Sequence, residues 1–276
     1  MTAIANSTMN TDTEWEQWGR ADPYFGVITH ERFRLDKLNE DTRKEFFDTG
    51  EIHVDYVMAM CHTYIDAHFK PTRVLDFGCG VGRVVIPWAA RVDEAVGLDV
   101  APSMLDEAHR NCVQMGARNV VLKLSSDDLS AWASSFDIVH TCIVLQHIDP
   151  TRGRSLFAQL LQAIKPGGIG AFHVTYAKAW FADSFGRDPQ AGVAPAPARE
   201  ASGAKGLLAR LGELTRPTEP PAAREPNADP GMQMHSYDLN ALLFILQTAG
   251  VRRFHVEFTD HGGELGVFVF FQRPLS

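Results

Sequence analysis

From Arg73 onward, short apolar runs rich in Val, Ile and Leu alternate with stretches whose apolar residues recur every three to four positions. That alternation is the pattern of a parallel sheet covered by helices. Residues 73–78, "RVLDFG", predict a first strand, and 83–91, "RVVIPWAAR", a helix reached through a glycine-rich turn. A second strand at 94–100 precedes a helix at 101–116 that has Pro102 near its start and Gly116 at its end. Third and fourth strands are expected at 119–125 and 136–145, a helix at 154–164, and a fifth strand at 169–176 after the stop "KPGG". Residues 239–250 read as a last helix, followed by strands at 252–260 and 266–272. The link between those two strands is too short for a parallel crossover, so they should pair antiparallel.

Two segments break this rhythm. Residues 1–70 place helical patterns after an aromatic stretch punctuated by Gly and Pro, "WGRADPYFGVITHERFR", and are expected to form a helical lid or substrate segment. Residues 71–276 then form the main domain, interrupted at 184–230 by a Pro/Ala/Gly-rich insertion with one short helical pattern, "AKGLLARLGELT". Such a composition buries little apolar surface, so a mobile cover over the site is the expectation for that insertion.

Composition narrows the picture modestly. With 45% hydrophobic and 22% charged residues, the chain has the make-up of a water-soluble globular protein. A net charge of −8 argues against a nucleic-acid partner, whose phosphates call for clustered Lys and Arg. The four cysteines, Cys61, Cys79, Cys112 and Cys142, form no C-x-x-C pair, which fits a reducing compartment and offers no metal centre. The first twenty residues lack a basic and apolar leader, and no apolar run is long enough to span a membrane, so a cytoplasmic location is expected.

The chemistry begins at "VLDFGCGVGR", where Gly78, Gly80 and Gly82 alternate after the first strand. A dinucleotide fingerprint needs a small residue three positions after the second glycine, and Arg83 stands there. A phosphate loop needs G-K-[ST], which is absent. What remains is Asp76, three alternating glycines, and a second acid, Asp99, ending the second strand. Together with "VGLDVAPSMLDEA", "FDIVHTCIVLQHI" and "IKPGG", this arrangement resembles the class I S-adenosylmethionine (SAM) dependent methyltransferases over roughly residues 70–176.

The resemblance implies an α/β, Rossmann-like seven-stranded sheet of order 3-2-1-4-5-7-6 with helices on both faces. It implies SAM as cofactor, with Gly78, Gly80 and Gly82 letting the backbone approach the ligand. Asp99, with Val100 beside it, is then placed to accept the ribose hydroxyls, or else to cap the helix that follows. Asp76 is expected to order the glycine loop or to reach the SAM ammonium through water, and Met104 to pack on the adenine. Asp127 or Asp128 matches the acid near the adenine amino group, and Ile143 should line the cofactor.

The acceptor is less legible. His147, after the fourth strand, and His261, in the final turn beside Asp260, are the two candidate bases, each with a bland reading as scaffold. Tyr176 and Tyr24 are candidate acceptor-lining residues, as is Asp260, whereas His173 reads as a core histidine. The tail and the "WGRADPYFGV" stretch resemble bacterial methyltransferases of polysaccharide and natural-product gene clusters. That resemblance implies O-methylation of a small hydroxylated acceptor; N- or C-methylation, or SAM binding without catalysis, are the alternatives.

Overall fold

The computed structural model describes residues 10–179 and 229–275. Seven strands form one sheet in the order β3-β2-β1-β4-β5-β7-β6. They are β1 (Arg73–Phe77), β2 (Glu94–Asp99), β3 (Val120–Leu124), β4 (Phe136–Thr141), β5 (Ile164–Lys178), β6 (Phe254–Asp260) and β7 (Glu264–Gln272). The pairs among β1 to β5 are parallel, and β7 runs antiparallel to both β5 and β6. The sheet is therefore the class I methyltransferase sheet that the motifs imply.

Period-two side-chain alternation divides each central strand between two cores. Val74, Ala95, Ile138 and Ala171 face one core, which also holds Phe46, Phe47, Val54 and Trp88. Leu75, Val96, Val139 and Phe172 face the other, with Leu156, Leu160 and Leu242. The first core is roofed by α1 (Thr11–Ala21), α2 (Pro23–Val27), α3 (Glu40–Met60), α4 (Val85–Ala89) and α5 (Pro102–Met115). The second lies under α6 (Pro150–Ala163) and α7 (Leu239–Thr248). No helix among the described residues is long and apolar enough to cross a membrane.

Local chemistry explains where the elements start and stop. Asn39 and Thr42 form a reciprocal capping box at the start of α3. The N-terminus of α5 has no cap of its own; Glu16 of α1 accepts from the Ser103 N–H at 3.0 Å and from its hydroxyl at 2.7 Å, so α1 docks there. Asp149 caps α6 one turn earlier than the apolar pattern suggests, with Pro150 at its first position. β4 ends at Thr141, short of the expected 145, because Ile143 turns into a left-handed conformation (φ 58°). "KPGG" is not a stop before β5 but an irregularity within it: the register passes from Phe136↔Ile164 to Ile138↔Ile169. The insertion at 184–230 and its short helical pattern lie outside the described residues, apart from Asp229 and Pro230.

One contact sets the height of α3 above the sheet. A Cβ built on Gly50 falls 1.9 Å from the Arg83 carbonyl oxygen, so only glycine lets the helix sit this close to the glycine turn. Gly50→Ala is expected to destabilise the protein by roughly 1–3 kcal/mol through backbone displacement, read as a lower urea midpoint with unchanged m-value. A midpoint equal to wild type would show that α3 has room to spare.

Candidate active site

The segment after β1 turns through Gly78 (φ 76°), Gly80 (φ 52°) and Gly82 (φ 92°), all left-handed. Its amides are held by the neighbouring strand: Gly78 and Cys79 donate to the Leu98 carbonyl at 2.7 and 3.0 Å. The buried Asp99 carboxylate continues this bracing, accepting from the Gly80 N–H at 2.8 Å and the Ala101 N–H at 2.9 Å. Burial pushes the Asp99 carboxyl up to about 6, against the opposing pull of those amides. A Cβ at Gly78 would lie 2.3 Å from a Val144 methyl, so the turn also sits tight against the segment after β4.

Beside the turn opens a cavity of about 870 Å³ at the carboxyl ends of the strands, where open α/β sheets place their ligands. One part is walled by Gly78, Gly80, Asp99, Val100, Met104 and Ile143, under Trp15 and Val27 of the N-terminal segment. The other part carries His53 and Tyr56 from α3, Arg83, His140, His173 and, from the terminal hairpin, His261 and Glu264. Residues 229–237 run along the site: Trp18 donates to the Gly231 carbonyl at 3.0 Å, and the Tyr237 N–H to Thr175 at 2.9 Å. Met232 and Met234 of that segment reach the cavity.

The structure gathers many of the expected residues and leaves others outside. Asp76, Gly78, Gly80, Asp99, Val100, Met104, Ile143, His147 and His261 line the cavity. Ile143 does so in a left-handed conformation that is strained for a β-branched side chain. Gly82 does not line it; it shapes the turn, where a Cβ would press on Ile86 at 3.1 Å. Asp127 and Asp128 are also outside: Asp127 pairs with Arg152 at 2.7 Å, and Asp128 accepts from the Ser130 N–H at 2.9 Å. Ser125 is the residue after β3 that reaches the cavity. Tyr24 is fully buried, its hydroxyl tied to Glu107, Asn111 and Arg43, and Tyr176 packs against the second core. Asp260 accepts from the Gly263 N–H at 2.7 Å, which ties the hairpin turn; it makes no hydrogen bond to His261 among the described residues, though its charge favours the protonated ring.

His147 is buried, with Nδ1 at 2.8 Å from the Gln233 carbonyl and its ring edge-on to Trp15 at 4.9 Å. Burial lowers it to about 4. His173 is held at 2.8 Å to the Thr259 hydroxyl and lowered by burial to about 3. Gly266 makes that bond possible, because a Cβ there would stand 2.6 Å from both His173 Nε2 and Thr259 Oγ1.

Apart from Asp76, the polar wall of the cavity is not announced by any local sequence motif. Asp76 Oδ1 lies 2.8 Å from His140 Nδ1, and His140 Nε2 lies 2.8 Å from His53 Nε2. The parallel register Asp76↔His140 places the first two side by side, a signal that strand pairing alone contains. His53 comes from α3, far away in sequence, and nothing local announces it. Four buried side-chain atoms on this wall have no protein partner: Asp76 Oδ2, Arg83 Nε, His173 Nδ1 and Glu264 Oε2. Buried polar atoms are nearly always paired in folded proteins, so such a concentration marks a ligand surface.

Residues 74–168 match a protein family described as a methyltransferase domain. The chain is 32% identical over 99 residues to an uncharacterized methyltransferase of Synechocystis, covering 36% of this chain and 45% of that protein. It is 33% identical over 102 residues to a ubiquinone biosynthesis O-methyltransferase of Cereibacter sphaeroides, covering 37% of this chain and 40% of that one. The chain thus spans less than half the length of these curated relatives. Among solved structures, it is similar to a magnesium protoporphyrin IX methyltransferase of Synechocystis with bound S-adenosylhomocysteine (SAH). That likeness has a TM-score of 0.56 at 17% identity and covers 95% of both chains. An N-methyltransferase NodS of Bradyrhizobium japonicum gives a TM-score of 0.53 at 13% identity, covering 96% of this chain and all (100%) of the other. At such identities these structures bear on the fold alone.

Proposed function

We propose that this chain, whose core is a class I SAM-dependent methyltransferase domain, transfers a methyl group from SAM to a hydroxyl oxygen of a small acceptor. The observation that carries the reading is a pair of side chains on the cavity wall beside the glycine turn, Asp76 and Arg83, each with a polar atom that no protein group satisfies. One is an acceptor on a carboxylate and the other a donor on a guanidinium. Together they suit a zwitterion, the amino-acid end of SAM, with its ammonium on Asp76 and its carboxylate on Arg83. Asp99 offers free lone pairs for ribose hydroxyls, and Met104 an apolar face for adenine. When bound, SAM supplies a methyl carbon activated by its sulfonium.

The other part of the cavity supports an oxygen acceptor. Burial lowers His53 to about 2, His173 to about 3 and His261 below the ordinary imidazole value, so these rings are neutral at neutral pH. A neutral alcohol must lose its proton as it is methylated, and neutral imidazoles can accept one. Phe268, Tyr56 and the two methionines supply apolar surface for the acceptor's body. The O-methyltransferase among the relatives supports the same reading.

Three measurements test it. Incubation with methyl-labelled SAM and a panel of catechols, phenols and monosaccharides should place label on oxygen in at least one member; label on nitrogen or carbon would overturn the acceptor class. For the cofactor, Arg83→Met should weaken SAH binding roughly 10- to 100-fold while leaving methylthioadenosine, which lacks the amino-acid end, unchanged. Equal losses for both ligands would make Arg83 a scaffold residue. For the ribose, hydroxyls donating to Asp99 favour its charged form, so binding should expel the proton held by a carboxyl near 6. SAH affinity is then constant at neutral pH and falls as pH drops below about 6, by at most tenfold per unit. His147, His173 and His53 lie at about 4, 3 and 2 and stay neutral across that window. Asp99→Asn should abolish the slope, and a slope that persists would assign the linkage elsewhere.

A further inference from the structure

We propose that Asp76, His140 and His53 form a proton-accepting chain that opens into the cavity at His53 Nδ1, and that His53 is the catalytic base for the acceptor hydroxyl. This rests on the O-methylation reading above. The chain is assembled by three elements: β1 supplies Asp76, β4 supplies His140 in register with it, and α3 lays His53 across the pair. Both links measure 2.8 Å.

Hydrogen-bond polarity fixes the tautomers. A carboxylate only accepts, so His140 must carry its proton on Nδ1 and present a lone pair at Nε2. His53 must then donate from Nε2, which leaves the Nδ1 lone pair free. No hydrogen bond to His53 Nδ1 exists among the described residues, and the atom is not sealed from the cavity. Of the competing histidines, His147 has both ring nitrogens beside polar partners. His147 has Nδ1 on the Gln233 carbonyl and Nε2 3.4 Å from the Gln146 amide. His173 has Nε2 on the Thr259 hydroxyl and Nδ1 buried without a partner, and His261 packs edge-on to His173 at 5.1 Å with no hydrogen-bonded carboxylate among the described residues.

The reaction balances along this chain. The acceptor oxygen gives an electron pair to the methyl carbon while the carbon–sulfur pair returns to sulfur, which becomes a neutral thioether. The hydroxyl proton passes to His53 Nδ1. The positive charge on His53 is shared through His140 towards the buried Asp76 carboxylate, so the product state carries no unpaired buried cation. Burial leaves His53 unprotonated but a weak base, so it takes the proton only as the forming carbon–oxygen bond acidifies the acceptor hydroxyl. Asp76 and His140 are positioning residues in this scheme, since they act through His53.

The chain can be read without any acceptor. Long-range proton–nitrogen NMR of histidine-labelled protein at neutral pH should show His140 as the Nδ1–H tautomer and His53 as the Nε2–H tautomer. Asp76→Asn, which puts a donor where the carboxylate was, should move the His140 proton to Nε2. His140 found as Nε2–H in the wild type would overturn the chain. Catalysis is read with the panel member that takes label from SAM. His53→Ala should lower kcat by at least ~100-fold, leave SAH affinity within about twofold, and recover turnover when free imidazole is added. A near-wild-type kcat, or a loss that imidazole does not restore in a variant that still binds SAH, would overturn His53 as base. Failure of the wild type to label any oxygen would overturn the O-methylation reading instead, and with it the assigned role of His53, while the tautomers would still report whether the chain exists.

Discussion

A left-handed turn directly after a buried strand leaves main-chain amides that must be satisfied without water, and Asp99 is the group that meets this need. Its carboxylate sits at the end of β2 and holds the Gly80 amide on one oxygen and the Ala101 amide on the other. The Leu98 carbonyl takes two more amides from the same turn. Remove this bracing and the backbone at Gly78 to Gly80 has no reason to keep its conformation, and Val144, packed against Gly78, loses its seat. The energetic penalty is visible in the carboxyl itself, pushed up to about 6 by burial. A carboxylate held in a form it does not favour gains from any further donor, which makes it receptive to a pair of hydroxyls.

The same turn organises the other part of the cavity. Because the chain leaves β1 sharply, Arg83 arrives under α3, where Gly50 allows the helix to descend onto its carbonyl. That descent brings His53 within hydrogen-bonding distance of His140, itself paired with Asp76. Asp76 thus bonds His140 with one oxygen and leaves the other without a protein partner. In the proposed scheme the two ends of the cavity meet at this residue, which would couple cofactor binding and proton acceptance through one buried carboxylate.

The sheet was readable in the sequence because short apolar runs alternate with stretches of helical period. Strand order followed from the family resemblance that the motifs carry, and the terminal antiparallel pair from the short "HGGELG" link. Boundaries failed where backbone conformation overrides apolarity: nothing in "TCIVLQHI" announces that Ile143 will turn left-handed and end β4 early. The glycine-side residues were legible because they are local to one motif. Asp127 and Asp128 lie outside the cavity because Arg152 draws Asp127 outward and Asp128 accepts from the Ser130 N–H. The polar wall was illegible for a different reason. It depends on a strand register and on the docking height of α3, and both are tertiary facts. Asp260 next to His261 looked like a pair in sequence, yet a carboxylate beside two glycines is better used by the turn's own Gly263 amide.

The account stands or falls on where the cofactor's two ends lie relative to Asp99 and to the Asp76–Arg83 pair. A crystal structure of the protein with SAH measures this directly. The expected result has the ribose hydroxyls on the Asp99 carboxylate, the amino-acid end between Asp76 and Arg83, and His53 Nδ1 facing the space beyond the sulfur. SAH bound away from the glycine turn, or with its amino-acid end directed away from Arg83, would contradict it.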